Sequence, residues 1–131
     1  MNVLGDHQLV KLTSEESEGR LAVIIQHMAP GLEVPRHVHV MEDEHFHLLE
    51  GDVQFEVGDN VVDLTAGDMI FLPRGIPHAI KVMGYDMAVV RLTITPGGLE
   101  NMFIELNHLP DGPPDMGKVV EICSNYGVSF V

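Results

Sequence analysis

From Arg20 to Thr95 the chain is interrupted again and again by turn signals: Pro30-Gly31, Gly51-Asp52, Gly58-Asp59-Asn60, Ala66-Gly67, Pro73-Arg74-Gly75 and Met83-Gly84. Segments of about five to ten residues between such breaks leave no room for long helices and point to many short strands. The intervening runs predict strands near 21–28, 33–40, 44–50, 52–57, 60–65, 68–72, 77–83 and 86–95. An antiparallel barrel or sandwich follows, and the fold class expected is all-β. The chain has 131 residues, the size of one domain, with no long internal repeat and no linker, so a single domain over 1–131 is expected.

The two ends read differently. Residues 1–20 are polar and acidic, and Ser14-Glu15-Glu16-Ser17-Glu18-Gly19 reads as an exposed turn. After Thr95-Pro96-Gly97-Gly98, the residues Leu99, Met102, Phe103 and Leu106 recur at helical spacing. A second helix is expected to start near Pro114-Asp115, with Met116, Val119, Val120 and Cys123 as its apolar stripe and Gly127 as its stop. The expected plan is a barrel over about 20–95 with a helical cap over about 97–127, under which Cys123 is a buried small hydrophobe.

Charge narrows the partners. Twenty acidic against seven basic residues give a net charge of −13. That field repels nucleic acid and anionic membrane surfaces, and there is no Lys/Arg stripe to overcome it. Apolar runs such as Leu21–Ile25 are too short to span a bilayer. Met1 to Asp6 lacks a basic segment followed by an apolar one, so no signal peptide is expected. One cysteine cannot form an internal disulfide, and a reducing cytoplasm is the expected compartment.

Among eight histidines, three are placed to act together with one carboxylate. His37 and His39 are one residue apart on an expected strand, so both point to one face. Glu44 opens the next strand on the side shared by Phe46 and Leu48, and His78 opens a later strand above Ile80 and Val82. Three imidazoles and a carboxylate from three strands can converge on one divalent transition metal: Fe, Mn, Ni, Co, Cu or Zn, rather than Ca or Mg. His45 and His47 alternate with Glu44 and Phe46 and face away. His7, His27 and His108 have no evident partner and are assigned to the surface. Glu42 and Asp43 read as a solvated turn, with an extra carboxylate ligand as the alternative. Arg74 reads as an exposed turn rather than a pocket rim, and the face of Arg91 is left open.

The same residues carry a resemblance. Gly31-x5-His37-x-His39-x4-Glu44-x6-Gly51 and Gly67-x5-Pro73-x-Gly75-x2-His78 resemble the two cupin motifs, fifteen residues apart. The resemblance implies a double-stranded β-helix, a jelly-roll-like barrel with the metal inside and glycines at turns where a side chain would clash. Val82 stands where the second motif usually has Asn, which removes polar support on that strand but no ligand. Pro96-Gly97-Gly98-Leu99-Glu100 with Phe103, and Tyr126-Gly127, resemble the tail of small quercetin-dioxygenase-like cupins.

The lining expected for the pocket is mainly apolar: Phe46, Phe55, Met69, Ile80 and Val82, with Ile24, Val34, Val90 and Leu92. It suits a small-molecule substrate with a metal-chelating edge. The first functional expectation is a metal-dependent dioxygenase of the quercetinase-like kind, with Glu44 as ligand and proton acceptor. A sugar isomerase or epimerase and a non-catalytic binding or sensory cupin are the alternatives. A homodimer through the barrel walls is also implied, with His45, His47 and Leu49 on the outward stripe.

Overall fold

Two antiparallel sheets form the walls of the computed structural model, which describes residues 1–131. One sheet holds, in spatial order, β1 (Asn2–Val3), β2 (Asp6–Leu12), β3 (Ala22–Met28), β10 (Ala88–Thr95), β5 (Asp43–Glu50) and β8 (Met69–Leu72). The other holds β11 (Val128–Phe130), β4 (Glu33–His39), β9 (His78–Met83), β6 (Asp52–Val57) and β7 (Asn60–Thr65). Two helices, α1 (Glu100–Asn107) and α2 (Met116–Asn125), complete the chain. This is the double-stranded β-helix expected from the sequence.

The period of two along each strand decides what faces inward. β10 buries Ala88, Val90, Leu92 and Ile94, and β3 buries Ala22, Ile24, Gln26 and Met28. Strand pairing sets Leu92 beside Ile24 on one side and Phe46 on the other, so one apolar row crosses three strands. Phe46 and Phe55 join the two sheets with ring centroids 5.3 Å apart. Burying each such ring stabilises the fold by about 1.5–3 kcal/mol.

The turn glycines act in two ways. At Gly51, φ is +90° and a Cβ would lie 2.9 Å from the Ala88 Cα. A side chain there would meet both strain and a clash. At Gly31, Gly67 and Gly75 a Cβ would meet open space, and the positive φ alone selects glycine. The clash expected at the motif glycines therefore holds at Gly51 and not at these three.

The sheets extend beyond 20–95 at both ends. β2 pairs with β3 through Asp6–Leu12, and β11 pairs with β4 through Val128–Phe130. Only the segment after Leu12 is the expected turn, tied down where the Ser14 backbone N–H donates to the buried Glu100 carboxylate at 2.5 Å. The Gly97 position is closed by contact with Ser14 and Leu21, where a Cβ would lie 2.7 Å from the Ser14 Cβ. Asp115 caps α2, accepting from the Gly117 and Lys118 N–H groups at 3.0 and 3.3 Å. Of its expected stripe, Val119 and Cys123 are buried, while Met116 and Val120 are exposed. No helix is long and apolar enough to cross a membrane.

Candidate metal centre and adjoining cavity

His37 and His39 end β4, Glu44 lies in β5 and His78 opens β9, so both sheets contribute to one cluster. Their placement depends on an irregularity in β4. Val34 pairs with Ile80 and His37 with His78, which puts one extra residue into β4 around Pro35-Arg36. Pro35 has no N–H to give to the ladder, and a bulge at this point shifts the phase of the strand. Beyond it, His37 and His39 both turn into the barrel and are 7% and 4% exposed. Glu44 and His78 are equally buried.

The ligand-competent atoms of the four residues all lie within 4.8 Å of one another. Glu44 Oε1 is 3.1 Å from His39 Nε2 and 3.3 Å from His78 Nε2. Adjacent donors on a metal with bonds of about 2.0–2.2 Å are separated by about 3.0–3.5 Å, so these spacings fit a shared ion. The His39 and His78 ring nitrogens and Glu44 Oε1 are buried without hydrogen-bond partners. Buried polar atoms are costly unless satisfied, and a cation between them would satisfy the set. The donor set of three imidazoles and one carboxylate suits a divalent transition metal.

The surroundings orient the ligands. His37 Nδ1 lies 2.7 Å from the Pro35 carbonyl oxygen, which it meets as a donor, leaving Nε2 free for a metal. Burial, then the neighbouring His78, pull the His37 imidazolium down to about 4, so it is neutral at pH 7. Burial would lower His39 too, but the Glu44 and Glu42 carboxylates outweigh it and hold its pKa up at about 9. Burial would raise Glu44, yet His39 and His78 beside it carry its carboxyl well below the usual range.

Glu42 corrects one expectation: it is not a solvated turn residue. It is 8% exposed, and its Oε1 lies 3.8 Å from His39 Nδ1, on the ring edge away from Glu44. Asp43 does point to the outside, where it pairs with Arg74.

Beside the cluster is a cavity of ≈ 160 Å³, lined by 24 residues of which 16 are hydrophobic. His37, His39 and Glu44 form part of its wall, and both helices contribute, through Met102, Phe103, Leu106, Met116, Val119 and Cys123.

Residues 24–95, more than half of the chain, match the Cupin domain family. The chain belongs to the cupins. Among curated proteins, this cupin is 31% identical over 87 residues to the tetracenomycin polyketide synthase protein TcmJ of Streptomyces glaucescens, covering 65% of this chain and 58% of that protein. It is 36% identical over 81 residues to the dimethylsulfoniopropionate lyase DddQ of Ruegeria pomeroyi, covering 61% of this chain and 39% of the lyase. The chain thus spans about half the length, or less, of these curated relatives. Among solved structures, KdgF from Halomonas sp. superposes with a TM-score of 0.65 at 17% identity, over 75% of this chain and 84% of that one. An RmlC-like cupin from Shewanella frigidimarina gives 0.62 at 19% identity, over 74% and 81%. At these identities the structures establish the fold alone.

The cupin barrel sorts the pocket residues expected from sequence. Phe46 and Ile80 line the cavity, as do Val34 and Leu92. Phe55 and Val82 do not; they are 1% exposed in the core, where Val82 pairs with Val53 of β6. Met69 is 57% exposed: it pairs with His47 across β8 and β5, and both share the outer face of the sheet. Its expected place in the pocket is overturned by that register, which sends Met69 and Phe71 outward and Leu72 inward. His45 and His47 face outward as expected, and Arg91 joins them, with its Nη2 3.1 Å from His47 Nδ1. His7 and His27 are cross-strand neighbours, their ring centroids 5.9 Å apart.

Three buried polar residues of the lining were not expected. Asp6 and Gln8 of β2 and Gln26 of β3 are buried polar groups in the cavity wall. The period-two spacing of Asp6 and Gln8 before the apolar β3 is the one sequence signal that could have placed them.

Proposed function

We propose that this cupin is a metal-dependent enzyme acting on a compact organic substrate that presents a chelating pair of oxygens. The observation that carries this reading is continuity: His37, His39 and Glu44 are wall residues of the same largely apolar cavity. His37, His39, Glu44 and His78 would hold a divalent metal, which would supply Lewis-acid polarisation of an enol or phenol on a chelating substrate. Phe46, Ile80, Leu92 and Met102 pack the apolar body of the substrate and exclude water from it. Glu44, the carboxylate closest to the ring nitrogens of the cluster, is the group we assign as acceptor of the substrate proton. A cavity of ≈ 160 Å³ is close to one that accepts a single benzene ring, about 150 Å³. The size favours diketone-like or catechol-like ligands over polycyclic flavonols. No Lys or Arg lines the cavity, so phosphorylated sugars lack a partner there.

The reaction we place first is quercetinase-like dioxygenation, in which both atoms of dioxygen enter the activated carbon framework of the substrate. A second reading is proton-transfer chemistry without oxygen, and the observation favouring it is that the curated relatives are a polyketide synthase protein and a lyase. Turnover of 1,3-diketones and catechols by metal-loaded protein, measured under air and under nitrogen, separates the two. Oxygen uptake stoichiometric with product supports dioxygenation; equal turnover under nitrogen replaces it. A metal-loaded protein that binds these chelators without turnover is a binding cupin.

A cytoplasmic homodimer completes the proposal. Met69 and Phe71 on edge strand β8, both 57% exposed, lie beside Leu49 on the outer face and form an apolar patch that a second copy would cover. Light scattering of the wild type and of Phe71→Glu tests it: a wild-type dimer that the substitution splits is expected, and a wild-type monomer overturns it.

A further inference from the structure

At the Asp6 end of the cavity is a second polar group that the metal reading does not use. Asp6, Gln8 and Gln26 are 7%, 1% and 5% exposed. The Gln8 and Gln26 side-chain amides both donate to Asp6 Oδ2, each at 2.9 Å. Three acceptors in the cluster are buried with no donor: Asp6 Oδ1, Gln8 Oε1 and Gln26 Oε1. Strand register separates the cluster from the metal ligands. Glu44 shares a row with Ile94 and Ala22, whereas Gln26 and Gln8 share the row of Val90 and Asp6 that of Met28.

A built cluster with spare acceptors, one carboxylate and an apolar surround calls for a donor from outside the chain. No lining residue supplies it, because the cavity contains neither Lys nor Arg. Burial pushes the Asp6 carboxyl up to about 6, against hydrogen bonds from Gln8 and Gln26 that pull it down, so it is mainly anionic at pH 7.5. A hydroxyl would offer one proton to three acceptors. A protonated primary amine offers three and neutralises the carboxylate.

We propose that Asp6, Gln8 and Gln26 form a subsite for a protonated amine of the ligand. The substrate class then has a chelating oxygen edge at one end, an apolar body of about one ring and an ammonium group at the other. The chelating end rests on the metal-dependent reading above; the ammonium end does not, and it is tested without a metal.

The test uses the wild-type protein and follows the side-chain NH₂ signals of Gln8 and Gln26 by ¹H–¹⁵N NMR at pH 7.5. Propylammonium, 1-propanol and propanoate are titrated as probes, in metal-free and in zinc-loaded protein. Saturable shifts of both amide signals by propylammonium are expected, with 1-propanol at least tenfold weaker and propanoate without effect. In Asp6→Asn the propylammonium response should fall at least tenfold, and in His78→Ala it should be unchanged. Absence of a saturable propylammonium response overturns the subsite, as does an equal response to 1-propanol, which would mean a polar cluster satisfied by water. If Asp6→Asn does not fold, the ranking of the probes on the wild type decides. Failure of zinc to bind the wild type, with the ammonium response intact, would count against the metal reading alone.

Discussion

The Arg74 guanidinium holds the Asp43 carboxylate from two sides, Nε to Oδ1 at 3.2 Å and Nη2 to Oδ2 at 3.0 Å, while the Arg74 backbone N–H donates to the same Oδ1 at 2.8 Å. The pair ties the start of β5 to the turn that leads into β9. Asp43 is the neighbour of Glu44, and Arg74 lies four residues before His78, so the clamp links the chain segments that carry these two cluster residues from different sheets. Water screens an exposed pair of this kind, and its effect on folding is small. The larger effect is expected on the positions of Glu44 and His78.

Asp43→Ala is therefore expected to weaken metal affinity by about tenfold, within the range seen for partners that orient ligands, while the melting temperature of the metal-free protein changes little. Competition with a chromophoric chelator measures the first and calorimetry the second. Unchanged affinity would show that the clamp does not position the site.

His39→Ala and His78→Ala each remove one of four donors and should abolish stoichiometric metal binding. His45→Ala and His47→Ala, on the outer face, should leave it intact. Elemental analysis of untagged protein reads the outcome directly. Metal at 1,000 times its dissociation constant should stabilise the wild type by about 4 kcal/mol, and the two inner variants should show none of that gain.

Metal binding should release close to one proton at pH 7, because the raised His39 pKa of about 9 means that the metal-free cluster holds a proton there. Calorimetric titration in buffers of different ionisation enthalpy counts it. The same pair shapes the metal-free protein. His39, raised above 6.5, adds stability that is complete below about 6.5 and is lost as pH rises through about 9. Glu44, depressed, adds stability that is present above 4.5 and is lost as pH falls through its lowered pKa. Their joint contribution is largest between these limits.

Asp6 acts in the opposite sense to Glu44. Its pKa moves up from 3.8 to about 6, so the folded state holds more protons than the unfolded one between those values, and stability falls as pH rises across them. The full move corresponds to on the order of 3 kcal/mol. The charges that bear on it are His27 on β3 and the Met1 ammonium group, and both favour the carboxylate. Asp6→Asn should flatten that part of the stability profile and raise the melting temperature at pH 7.5 relative to the wild type. A profile that keeps the same slope would place the titration elsewhere.

The barrel and its cluster of His37, His39, Glu44 and His78 were legible in the sequence because both follow from short-range rules. Turn residues cut the strands to length, and a period of two puts His37 with His39 and Glu44 with Phe46. Asp115 and Gly127 mark the limits of α2 by capping chemistry. Each rule acts within a few residues, where backbone geometry fixes side-chain direction.

What lay beyond that range was decided by pairing between distant strands. β2 was hidden because its buried positions are Asp6 and Gln8 while Leu9 is exposed, so at these three positions hydropathy runs opposite to burial. Only the apposition to β3 encloses the polar side. The bulge at Pro35-Arg36 is fixed by the register with β9, and the outward turn of Met69 by the register with β5. Phe55 and Val82 face inward as their alternation implies, yet they fill the core instead of the cavity, because a closed barrel has room for only part of its inner face to remain unfilled. Local sequence determines which residues share a face; the closure of the two sheets decides which of those faces meet a ligand and which meet each other.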